Sequence, residues 1–305
     1  MDKIPYHKPI ELTDIDIEFI QDNIKNILKS GRFKDFFWGP NLEKNIKDLY
    51  NVEYVIPTSS CTMGLYISLL YLNPSFIQVP MFNWWSVLYI LKALKYDIVW
   101  NDVDMNTWLP IETYKGNSLY LNTFGSMGKS RKKDAIYDSS HCLGAKIEHM
   151  GLTHVFSLAP TKLITSGEGG IIITNNKAFY EYVIEQRDKI CRMDEIRALI
   201  GCVYFSYLDI ILNWKKLVYK YYKKHIPGQF QEIPNNSTYN TIGFLNIERL
   251  KIPKHIETKQ YYEPIWDNGI KNNTKKIYRK MICLPSYYHC PYKEIVDSIK
   301  EVNDF

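Results

Sequence analysis

The residues that could do chemistry fall in three short polar stretches, each following an apolar run. The most informative is FSLAPTKLITSGEGG (156–170), where Lys162 lies between a strand-like run and a glycine-rich turn. Partial burial there would lower the lysine's pKa and free its amine for Schiff-base chemistry. Gly167, Gly169 and Gly170 permit tight backbone turns beside it. The second stretch, IYDSSHCLGA (136–145), puts Asp138 directly after a strand and His141 three residues on. A carboxylate at a strand end can hold a cationic ring nitrogen or a metal. The third, TSSCTMG (58–64), sets small hydroxyl residues at the start of a helix. Backbone N–H groups and side-chain donors at such a terminus can receive a phosphate.

Each stretch also has an ordinary reading. Ser and Thr cap helices without binding anything. Asp138 could cap the next helix, and His141 could be a satisfied core histidine. A lone lysine is usually a surface charge, and a GxGG turn before a strand is often only a hairpin. The spacing is not GxxxxGK[ST], so there is no P-loop. Taken together, however, a phosphate-holding turn, a strand-end Asp and a strand-end Lys are the parts of a pyridoxal phosphate site. The ring nitrogen needs a carboxylate to stay protonated and act as an electron sink, and the aldehyde needs a lysine.

The surrounding sequence supplies the elements to position them. Thr13 and Asp16 have capping-box spacing, and Ile17, Ile20, Ile24 and Ile27 recur at helical spacing up to Gly31. Strands are expected at 54–56, 77–79, 97–100, 118–121, 135–137, 155–158 and 171–174, with helices at 62–71 and 84–94. That alternation predicts an α/β domain with a mainly parallel sheet, whose ligands sit at the carboxyl ends of the strands. From about residue 178 the pattern becomes helical, then mixed after 240, which predicts a smaller second domain. The 305 residues suit two units and a substantial core, and 46% hydrophobic with 23% charged residues excludes wholesale disorder.

The net charge of +5 is spread out and does not demand a polyanion. The Cys residues (61, 142, 191, 202, 283, 290) form no CxxC pair, so no metal site is expected and a reducing cytoplasm fits. The N-terminus lacks the apolar core of a signal peptide. The stretch 198–214 is very apolar but broken by Ser206, Asp209 and Asn213, and reads as one buried or interface helix rather than a membrane span. The lysines of 214–225 read as a solvated face, with no nucleic-acid motif among them. KNNTKK (271–276) reads as a surface loop.

Six collinear segments resemble the DegT/DnrJ/EryC1/StrS family of sugar aminotransferases. FSLAPTKLITSGEGGIIITNN is similar to the family's SFxxxKxxTxGEGGxxxTND, its most specific piece. GRFKDFFWGPNLEKNIKDLYNVEYVIPTSSCTMGL resembles the stretch leading into SGTxAL, VPMFNWWSV the PxxTFxAT segment, and IYDSSHCLGA the EDAAQxxGA segment. CRMDEIRALIG resembles NYRMxExQAAIG, and ICLPSYYHCPYKEIVDSIKEV the terminal SLPxxxxxxxEDVxxVxxxI.

The resemblance implies the pyridoxal-phosphate-dependent transferase fold type I. It implies a mostly parallel mixed sheet flanked by helices in a large domain, 1–195, and a smaller C-terminal α+β domain, 196–305. It implies that Lys162 bonds the cofactor and shuttles protons, that Asp138 pairs with the pyridine nitrogen, and that His141 sits near the ring hydroxyl. Trp84 would stack on the ring, and Ser60, Cys61, Thr62 and Ser157 would cradle the phosphate. Glutamate would load the cofactor as pyridoxamine phosphate, and a nucleotide-linked keto-sugar would accept the amine for surface glycan synthesis. A histidine at 141 follows the family pattern for amination at sugar C4. A homodimer is implied. The chain departs from the pattern at Cys61, Ser139, Ser140 and Ile190, and in shortened segments after Trp108, Gln186 and Lys220. Those departures keep two alternatives open, a keto-cyclitol acceptor and a cofactor-binding relative without turnover that serves as scaffold or regulator.

Overall fold

The computed structural model describes residues 2–111, 116–128, 132–266 and 272–303. Helix α1 (Asp14–Ser30) opens with the expected capping box, Thr13 and Asp16 each accepting the other's backbone N–H, and ends at Gly31 with φ +66°. Then follow α2 (Trp38–Tyr50), β1 (Tyr54–Thr58), α3 (Cys61–Leu72), β2 (Phe76–Pro80), α4 (Trp85–Leu94) and β3 (Asp97–Asn101). Next come β4 (Leu119–Leu121), β5 (Ile136–Asp138), β6 (Thr153–Ser157), β7 (Gly170–Thr174) and α5 (Lys177–Ile190). The chain continues through α6 (Glu195–Phe205), α7 (Leu208–His225), β8 (Gln229–Phe230), β9 (Ile242–Leu245), α8 (Asn273–Lys280), β10 (Met281–Leu284) and α9 (Tyr292–Glu301).

The main sheet has the order β1-β7-β6-β5-β4. Strands β4, β5 and β6 run parallel, and β7 is antiparallel to both β6 and β1. A parallel bridge from Gln78 to Ser118 sets the parallel pair β2-β3 beside β4. This is the mostly parallel mixed sheet that the alternation predicts. Strands β4 to β7 are buried throughout, which is why they read as unbroken apolar runs.

Alternate residues of these strands feed cores on opposite faces. Ile171, Ile173 and Phe156 pack with Leu42 and Ile46 of α2, whereas Ile172 and Val155 pack with Leu65 and Ile67 of α3. A third core lies between the small antiparallel sheet β10-β9-β8 and the helices α7 and α9. Ile4 joins that core by exchanging backbone hydrogen bonds with His255 and Glu257.

Two sequence expectations need correction. The apolar stretch 198–214 is not one helix. α6 stops at Phe205 and α7 starts at Leu208, with the Ser206 hydroxyl donating back to Val203 O at 2.7 Å. Such side-chain bonds compete with helix propagation. Ala198, Leu199 and Val203 are buried within the chain, Leu199 and Val203 against Ile27 of α1. No described helix is long and apolar enough to cross a membrane. KNNTKK is not a loop either. Residues 273–276 open α8, while Lys271 lies outside the described residues. Asn272 caps α8, and Asp102 takes N–H groups from Asn273 and Thr274 at 2.6 and 2.8 Å.

Glu195, the fixed glutamate of the CRMDEIRALIG segment, has a structural role that the sequence reading did not assign. It is 1% exposed and accepts backbone N–H bonds from Phe36, Phe37, Trp38 and Gly39 at 2.6–3.1 Å. Its charge therefore meets the positive end of the α2 dipole and satisfies donors that α2 cannot satisfy itself. Glu195→Ala strands those donors and is expected to cost about 3 kcal/mol or more of unfolding free energy, read from urea denaturation. Glu195→Gln keeps an acceptor and should cost less.

Candidate active site

One row of the sheet sets the geometry. Gly170 pairs with Thr58 of β1 on one side and Ser157 of β6 on the other. Two residues beyond Thr58, Ser60 caps α3 by accepting the Met63 N–H at 3.1 Å. A Cβ on Gly170 would lie 2.6 Å from the Cys61 nitrogen and 2.6 Å from the Ser60 carbonyl carbon. Only glycine lets the start of α3 sit this close to β7. The first N–H groups of that helix have no intrahelical acceptors and carry the positive end of its dipole.

Lys162 leaves β6 by a turn closed between its own N–H and Ala159 O at 3.0 Å. Its amine reaches a cavity of about 400 Å³ also lined by Asp138 and the start of α3. Burial lowers the Lys162 pKa to about 8, against the opposing pull of Cys61, Asp138, Cys142 and Glu168. Asp138 ends β5, is 3% exposed and accepts the Ser140 N–H at 3.1 Å. Burial raises its pKa, while that hydrogen bond and the charge of Lys162 hold it down.

His141 is held well below its usual pKa by burial and by the charges of Lys162 and Lys215, so it stands neutral near pH 7. Among the described residues its buried Nδ1 has no hydrogen-bond partner. Ser157 accepts the Ala159 N–H at 3.3 Å. Thr62 donates to Ser86 at 3.3 Å. The Cys61 thiol points at Val155 O and is pushed upward in pKa by burial. Trp84 is the N-cap of α4, 44% exposed, with Tyr262 edge-on at 6.0 Å.

The cavity thus brings together Ser60, Cys61, Thr62, Trp84, Asp138 and His141, with Ser157 and Lys162 completing the set. Its other wall was not foreseen. Tyr6, His7, Lys215, Asn240, Tyr262 and Ser286 line it, from the N-terminal segment and the C-terminal third. Lys215 corrects the reading of 214–225 as a solvated face, because it is buried while Lys220, Lys223 and Lys224 are exposed. The detectable signal was its helical spacing with Ile211, Val218 and Tyr222, which are also buried.

The family model for the DegT/DnrJ/EryC1/StrS aminotransferases matches residues 14–114 and 112–302. The chain belongs to the DegT/DnrJ/EryC1/StrS aminotransferase family. A GDP-perosamine synthase of Escherichia coli O157:H7 is 22% identical in an alignment covering 100% of this chain and 99% of that protein. An aminotransferase of Helicobacter pylori, involved in the biosynthesis of pseudoaminic acid, has the same fold. Its TM-score is 0.83 at 16% identity, with 100% of both chains covered. A sugar aminotransferase of Micromonospora echinospora superposes with a TM-score of 0.84 at 15% identity, covering 98% of this chain and 99% of that one.

The members of this family are pyridoxal-phosphate-dependent aminotransferases, and the cavity fits that cofactor. It offers a desolvated amine, a buried carboxyl group, an unpartnered imidazole nitrogen and an open helix N-terminus beside a glycine. Gly170→Ala should push α3 away from β7 and weaken cofactor affinity roughly tenfold or more, measured by titrating cofactor absorbance, because the clash is with backbone that cannot rotate aside. Capture of pyridoxal phosphate by the cofactor-free protein should accelerate as the Lys162 amine loses its proton. The sign is set by the lowered pKa: the rate rises with pH and levels off above about 8, rather than near 10.5 as for an exposed lysine. Rapid-mixing absorbance measures it.

Proposed function

We propose that this aminotransferase moves an amino group from glutamate to a nucleotide-linked keto-sugar, in a route to surface glycans. The observation that carries the reading is Lys162, an amine buried to a pKa of about 8 in one cavity with Asp138 and the N-terminus of α3. The sugar class is supported by the relative that makes GDP-perosamine and by the similar folds of sugar aminotransferases.

Lys162 would hold the cofactor's aldehyde, Asp138 its ring nitrogen, and Trp84 its ring face. The α3 terminus at Ser60, Cys61 and Thr62, with Ser157, would hold its phosphate. When bound, pyridoxal phosphate supplies an electron sink that stabilises negative charge at the carbon bearing the amino group.

The chain's residues supply the remainder. A Lys162 amine with a pKa near 8 can take up a proton from a substrate carbon and return it at neutral pH. Asp138 is costly as an isolated buried charge, so a protonated ring nitrogen beside it would restore its balance. His141, being neutral, can hydrogen-bond a ring hydroxyl without adding a positive charge to a cavity that already has two lysines. Tyr262 and Tyr6 line the same cavity and add aromatic surface to it.

A homodimer is part of this proposal. Phe33, Phe36, Phe37, Trp85 and Tyr89 are large apolar side chains left exposed on a single chain, which favours a covering second copy.

The test is the visible spectrum of the protein with pyridoxal phosphate, before and after glutamate. A band present in the native chain, absent in Lys162→Ala and bleached by glutamate is expected. Subsequent incubation with nucleotide-linked keto-sugars should restore it. A band that glutamate leaves unchanged would favour the cofactor-binding relative without turnover, and restoration only by a keto-cyclitol would replace the sugar acceptor.

A further inference from the structure

Lys215 is the second lysine of the cavity, and the transfer as derived above gives it no task. It is 7% exposed, and its ammonium donates to Asn240 O at 2.8 Å and Ser286 Oγ at 3.0 Å. Both acceptors are neutral. Among the described residues Lys215 makes no ion pair. An ammonium has three donors, so one is left over. Taking a charge out of water is costly unless an opposite charge compensates it. Burial lowers the Lys215 pKa to about 8, which still leaves the group mostly charged at pH 7.

The groups around it repeat the imbalance. His7 lines the same cavity; burial lowers its pKa against a hydrogen bond to the Pro160 backbone, and among the described residues its buried Nε2 has no partner. The charges of Lys215 and Lys162 both act on His7, and both act on His141. The carboxylates among the described lining residues are Asp138 and Glu168, and both act on Lys162. Lys162 enters from the loop after β6 and Lys215 from α7. Lys215 is therefore a cation for which the described lining residues supply no anion of its own.

We propose that Lys215, with His7 beside it, is the anchor for a carboxylate of the amino donor. A carboxylate is favoured over a phosphate by the size and make-up of the site. The cavity measures about 400 Å³ and must also hold the cofactor. The Lys215 wall offers one ammonium and the Ser286 hydroxyl, without the helix N-terminus or guanidinium fork that phosphates typically recruit. This inference rests on the aminotransferase reading for the identity of its ligand.

The experiment measures binding of glutarate, a dicarboxylate without an amine, to the cofactor-loaded protein by calorimetry. Lys215→Gln, which keeps a donor for Asn240 but loses the charge, should weaken glutarate roughly tenfold or more. Lys215→Arg should recover part of the loss, and Ser286→Ala, a milder change if Lys215→Gln fails to fold, should weaken glutarate several-fold. The same variants are then compared for bleaching of the cofactor band by L-glutamate and L-alanine. A loss shared by both donors places the α-carboxylate at Lys215, and a loss confined to glutamate places the side-chain carboxylate there. Either supports the anchor. Unchanged glutarate binding in Lys215→Gln overturns it, as does a defect seen only with the nucleotide-sugar acceptor. Lys215-dependent glutarate binding in a native chain that glutamate does not bleach would retain the anchor and overturn the proposed donor, so the two failures are distinct.

Discussion

The site depends on the close approach of two backbones where β7 begins beside the end of β1. Gly170 occupies one register row with Thr58 and Ser157, and its missing Cβ is what admits the Ser60–Cys61 backbone. From that row the chain leads into α3 on one side and into the Lys162 loop on the other. A helix N-terminus and a desolvated amine are thereby delivered to the same end of the sheet. The antiparallel setting of β7 matters here, because the Lys162 loop has to return to the edge from which β6 leaves.

Electrostatic balance is the second theme. The cavity holds two lysines at pKa values near 8 and an imidazole driven neutral, while Asp138 is pushed towards its protonated form. Each shift has burial as its largest cause, so each group is moved towards its uncharged form. By contrast, several buried charges outside the cavity are compensated within the chain. Arg187 and Arg192 share Asp35 and Asp188 at 2.8–3.1 Å, and Glu195 is spent on the α2 N-terminus. Arg192 also forms an antiparallel bridge with Thr58 of β1.

Much of this was legible in the sequence. The strands were visible as short apolar runs because the central ones are buried on both faces, and α1 was visible through its cap and stop. The site motifs were legible because Lys162, Asp138 and the Ser60–Thr62 turn each lie within a few residues of a strand end. What escaped was long-range. Nothing local marks Glu195 as the acceptor for donors at 36–39, or Asp102 as a cap for α8. The split between α6 and α7 escaped because one polar residue, Ser206, does not by itself mark a helix end within an apolar stretch.

The sequence by itself determined the order of elements, the wall of the cavity built from strand ends, and the chemical types available there. Those depend on local patterning: unbroken apolar runs, helix caps, and glycines at a turn. Tertiary structure alone decided the opposite wall. Lys215 and His7 come from 208 residues apart in the chain, and only packing of α7 and the N-terminal segment brings them to one cavity. It also decided that these groups carry shifted pKa values, because desolvation is a property of what surrounds a side chain in space and not of its neighbours in sequence.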